Sequence, residues 1–83
     1  MPNREQVHPN REQVQTAMAR LLLKKVREDH YPSVTQMELL EQIIPPRLIG
    51  DYITVLLAKV AGDDRPSIPM LHRIRRIAEQ LPG

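Results

Sequence analysis

The stretch Leu21-Leu22-Leu23-Lys24-Lys25-Val26-Arg27-Glu28-Asp29-His30-Tyr31-Pro32-Ser33-Val34 is echoed 34 residues later by Val55-Leu56-Leu57-Ala58-Lys59-Val60-Ala61-Gly62-Asp63-Asp64-Arg65-Pro66-Ser67-Ile68. Leu22/Leu56, Leu23/Leu57, Lys25/Lys59, Val26/Val60, Asp29/Asp63, Pro32/Pro66 and Ser33/Ser67 are identical. Leu21/Val55, Val34/Ile68, Met37/Leu71, Leu40/Ile74 and Ile43/Ile77 stay aliphatic, and no gap interrupts 21–43 against 55–77. Self-similarity at a fixed offset is the signature of a supersecondary unit copied in tandem.

Each copy reads as helix, turn, helix. A basic residue near the end of the first helix, Lys25 or Lys59, favours the negative end of its dipole. The proline of Asp29-His30-Tyr31-Pro32 or Asp63-Asp64-Arg65-Pro66 stops the helix from running on. Gly62 is expected to supply a left-handed stop before the second turn. Ser33 and Ser67 are expected as N-caps, with Gln36 completing a capping box in the first copy and Pro69 seated in the first turn of the second.

Apolar periodicity predicts four helices. The first, about 10–28, aligns Val14, Ala17, Met18, Leu21, Leu22 and Val26 as its expected inward stripe. The second, about 34–44, aligns Met37, Leu40, Ile43 and Ile44; the third, about 46–61, carries Leu48, Ile49, Tyr52, Ile53, Leu56, Leu57 and Val60. The fourth, about 68–81, carries Leu71, Ile74, Ile77, Ala78 and Leu81. Pro45-Pro46 divides the two units, and Pro46 suits the first position of a helix. The expected fold is all-α: one compact four-helix domain over 9–83, made of two helix–turn–helix repeats, about 10–45 and 46–81. A period of 34 is also that of tetratricopeptide repeats. The Trp, Gly, Tyr and Phe positions of those repeats are missing, however, and each Pro-Ser pair lies inside a unit, so that family is not assigned.

Composition agrees with this fold. The 83 residues include no Phe, no Trp and no Cys, and the only aromatics are Tyr31 and Tyr52. The core is therefore aliphatic, with Leu, Met and Ala favouring helix. Disulfides, thiol catalysis and Cys-based zinc sites are excluded. No apolar run approaches the roughly 18 residues of a membrane span, and Met-Pro-Asn-Arg-Glu lacks the apolar core of a signal peptide, so a cytoplasmic location is expected. The net charge of +2 comes from residues 46–83 and is too mild to indicate a nucleic-acid partner by itself.

The hexapeptide Pro-Asn-Arg-Glu-Gln-Val occurs twice, at 2–7 and 9–14. Pro9 prevents both copies from opening one helix. The second copy, with Asn10 and Gln13, is taken as the start, and residues 1–8 as a frayed tail.

Chemistry is sparse. His8, His30 and His72 share no ligand spacing, and capping accounts for both serines. The three glycines form no phosphate loop, and Glu38 and Glu41 read as a solvated pair. No catalytic, cofactor-binding or metal-binding residue is expected, and no small-molecule substrate or membrane partner is evident. Two surfaces remain. Leu21, Leu22 and Leu23, and likewise Val55, Leu56 and Leu57, each wrap about 300° of helix, so one member of each trio must face outward. That surplus suggests contacts to a protein partner or to a second copy, a homodimer. His72, Arg73, Arg75 and Arg76 form a basic patch that would suit a DNA-binding regulator. The first reading, a non-catalytic interaction module (an adaptor or subunit) expected to self-associate, is preferred, because the basic patch contains no Asn or Gln to read bases.

Overall fold

In the computed structural model, which describes residues 9–65 and 67–82, Asn10 opens the first helix. The Gln13 N–H donates to Asn10 Oδ1 at 2.8 Å, and the Asn10 N–H donates to Gln13 Oε1 at 3.0 Å. This reciprocal capping box satisfies two of the donors that a helix start leaves unpaired. Helix α1 then runs over Arg11–Glu28. Ser33 and Gln36 repeat the same box to open α2, Val34–Ile43. Helix α3, Pro46–Ala61, starts on proline without a side-chain cap. Ser67 Oγ accepts the Met70 N–H at 3.3 Å to open α4, Ile68–Ala78. No strand occurs among the described residues. The tail at 1–8, with the first hexapeptide and His8, lies outside the described residues, as does Pro66.

Two expectations about helix ends are corrected. Gly62 is not left-handed: its φ of −82° and ψ of −7° are right-handed helical values. The end of α3 is instead tied off by ordinary turn bonds, Gly62 N–H to Ala58 O and Asp63 N–H to Val60 O. The fourth helix stops at Ala78 and not near 81, leaving Leu81 in a turn and 38% exposed.

Helix α1 packs on α2, α3 packs on α4, and α1 touches α3. Helix α3 is the centre of the core. It contributes Leu48, Ile49, Tyr52, Ile53 and Leu56, around which sit Ala19, Leu23 and Val26 of α1, Met37 and Leu40 of α2, and Ile74 and Ile77 of α4. Lys59, in the last turn of α3, reaches back to α1. Its Nζ donates to Arg27 O at 3.2 Å and Asp29 O at 2.5 Å, supplying a cation and two donors to the carbonyl end of that helix. Lys25, its counterpart by offset, is exposed.

The expected inward stripe of α1 is also corrected. Val14, Ala17, Met18 and Leu21 face outward, while the spacing Ala19, Leu23, Val26 makes the core face, with Leu22 packed at its margin. At 100° per residue the two arcs lie roughly 160° apart on the helix. The reason is tertiary: the side on which α2 and α3 pack against α1 selects the arc. Helices α2 and α3 take the Ala19/Leu23/Val26 arc, and nothing among the described residues covers the other.

Candidate functional site

The two apolar trios resolve as geometry requires. Leu23 and Leu56 are core, and Leu22 and Val55 pack against the core. Only Leu21, 58% exposed, and Leu57, 48% exposed, point out. These two do not correspond by the 34-residue offset, so the outward leucine differs between the hairpins.

The basic patch of α4 is broken by its own fold. Arg73 Nη1 donates to both carboxylate oxygens of Glu41, at 2.7 and 2.6 Å, and the two side chains are only 12% and 10% exposed. Arg73 is therefore not part of a free polar face. Glu41 likewise is not a solvated partner of Glu38. His72, Arg75 and Arg76 remain exposed, and Arg76 leans toward Glu41 at 3.5 Å. The hydroxyl of Tyr52, a residue with no exposed surface, donates to Glu41 Oε2 at 2.5 Å. One carboxylate thus joins α2, α3 and α4. Sequence reasoning missed this node because Tyr52 and Arg73 stand 11 and 32 residues from Glu41, beyond any local spacing rule.

The node has an electrostatic consequence. Burial pushes the Tyr52 hydroxyl well above its ordinary value of 10.0. The hydrogen bond to Glu41 and the charge of Glu41 push it the same way, and Arg73 only partly opposes them. For Arg73 burial works against the charge, but the bond and charge of Glu41 win and raise its pKa. The folded chain holds the Tyr52 proton at pH values where the unfolded chain has released it. The contribution is therefore complete below about pH 10 and is lost as pH rises above that. Urea unfolding followed through the alkaline range should show stability falling above this point, with Tyr52→Phe flattening the fall. An equally steep fall in Tyr52→Phe would assign it to another group.

The remaining feature is the outward face of α1. Val14 is 41% exposed, Met18 39% and Leu21 58%, and Ala17 lies between them at helical spacing. Its surroundings carry more basic than acidic groups: Glu28 lies on the line of the stripe two turns beyond Leu21 and Glu12 at its far flank, against five cations. Arg11 stands at the start of the stripe, Lys24 and Lys25 one turn beyond Leu21, and Gln13, Gln15 and Arg20 along its sides, all exposed. On the Ala17 edge the stripe opens into a shallow cleft of about 470 Å³ lined by Glu12, Gln13, Thr16, Ala17, Arg20 and, from the first turn of α3, Arg47. Among the described residues the ion pairs all involve Glu41, so Arg20 and Arg47 have no carboxylate partner. The periodicity of Val14, Ala17, Met18 and Leu21 was visible in the sequence, whereas the placement of Arg47 beside it depends on the α1–α3 packing.

No helix among the described residues is long and apolar enough to cross a membrane. No protein-family model, curated protein or solved structure matches the chain.

Proposed function

We propose that this chain is a non-catalytic protein-interaction module that receives a helical segment of another protein on the outward face of α1. The observation that carries the reading is the Val14/Ala17/Met18/Leu21 stripe, apolar and exposed on a helix whose opposite side is committed to the core. A second copy fits this face less well. Antiparallel pairing of two α1 helices centred on the stripe brings Arg11 against Lys24 and Lys25 of the other copy, and parallel pairing sets Arg20 near Lys25. The reading treats 9–83 as one domain of two tandem hairpins, 10–45 and 46–81. The equal spacing of the Ser33 and Ser67 caps and of the starts of α2 and α4 supports this. DNA binding through α4 would have to use His72, Arg75 and Arg76, since Arg73 is occupied by Glu41.

The test is photo-crosslinking in the native cell, with a photoreactive residue at position 21 or, as control, at the exposed position 51 of α3. A discrete protein adduct from position 21 and none from position 51 is expected. No adduct at 21, or the same adducts from both, would overturn the reading.

A further inference from the structure

Resting on that docking reading, the charges around the stripe specify the partner's chemistry: we infer that the docked segment is an amphipathic helix whose rim is acidic, with carboxylates entering the cleft between Arg20 and Arg47. Arg20 lies on the edge of α1 that faces this cleft, and Arg47 is brought to its other side by the first turn of α3. Glu12 lines the same cleft, leaving an excess of one positive charge there. Lys24 continues the edge one turn further on, and Arg11 and Lys25 flank the apolar residues at either end. An apolar stripe bordered by cations that no described carboxylate pairs is complementary to a helix with an apolar seam and a carboxylate border, and repels one with a basic border. The neutral Gln13 and Gln15 add hydrogen-bonding capacity without changing the sign. A lipid surface is a poorer match, because the stripe is only about two turns long and holds none of the Trp or Phe that seat helices at an interface.

The experiment uses the full chain and two fluorescent synthetic helical peptides. They share the same leucine seam, and one carries glutamates on its rim where the other carries lysines. Anisotropy should show the glutamate-rimmed peptide binding at least about tenfold more tightly, with an advantage that shrinks as salt is added. Arg20→Glu with Arg47→Glu should reverse the preference, and Met18→Lys with Leu21→Lys should abolish binding of both peptides. All four positions are exposed, so circular dichroism should report an unchanged fold. If both peptides bind equally and both are lost in Met18→Lys/Leu21→Lys, the docking face stands and the acidic partner falls. If neither peptide binds, or the stripe variant binds as well as the parent, the docking reading falls with it. Stripe-dependent binding to phosphatidylserine vesicles in preference to either peptide, or stripe-dependent dimerisation in sedimentation, would replace the proposed partner and overturn the inference.

Discussion

Glu41→Ala is expected to cost about 3 kcal/mol of folding stability, a large fraction of what a small domain has to spare. The substitution strips Arg73 of its only ion-pair partner among the described residues, in a position where its side chain is 12% exposed, and it leaves the Tyr52 hydroxyl unpaired inside the core. The loss comes chiefly from stranding a nearly buried cation, and only secondarily from the attraction removed. The pair Glu41→Met/Arg73→Met removes both charges together and should recover much of the stability lost by Glu41→Ala. Urea denaturation of the parent, Glu41→Met, Arg73→Met and the double variant forms the required cycle, with Glu41→Ala measured beside it. A double variant no more stable than Glu41→Ala would show that the cost is lost packing and not an abandoned charge.

Leu56→Ala should cost about 3–4 kcal/mol and lower the Tm by about 15–25 °C, because the side chain is fully buried in the central helix and little can collapse into the space it leaves. Its neighbour Leu57 is 48% exposed, and Leu57→Ala should stay within about 0.5 kcal/mol. Thermal unfolding followed by far-ultraviolet circular dichroism separates the two. Equal losses at both positions would mean that α3 presents a different side to the core.

What could be read in advance follows from the range of the forces involved. Helix boundaries are decided by neighbours in sequence: Asn10 with Gln13, Ser33 with Gln36, Ser67 with the Met70 N–H, and Pro46 at the head of α3. These were legible to within a residue or so, apart from the end of α4. The inward side of α1 was not. The helix carries two apolar arcs that meet near Leu22: of the expected stripe Val26 is core and Leu22 packs at its margin, whereas Val14, Ala17, Met18 and Leu21 face outward and Ala19 and Leu23, left out of the stripe, take their place in the core. Choosing between them requires knowing on which side of α1 the helices α2 and α3 pack. The same limit hid Glu41, whose neighbours in sequence suggested solvent while its real partners arrive from the other half of the chain. In the candidate docking site the leucine surplus was foreseen, but only Leu21 of the first trio contributes, and Arg47 enters through tertiary packing alone.

The sharing of one acid among three helices also bears on how the two halves depend on each other. Glu41 belongs to the segment before Pro45, whereas its base and its phenol belong to the segment after it. Severing the backbone between Ile44 and Pro45 would give each fragment an unanswered polar group beside a bare oily surface, and the missing counterpart of each would sit only on its sibling. Mixed, the two fragments should therefore re-associate, the covalent link between them serving chiefly to raise their mutual concentration.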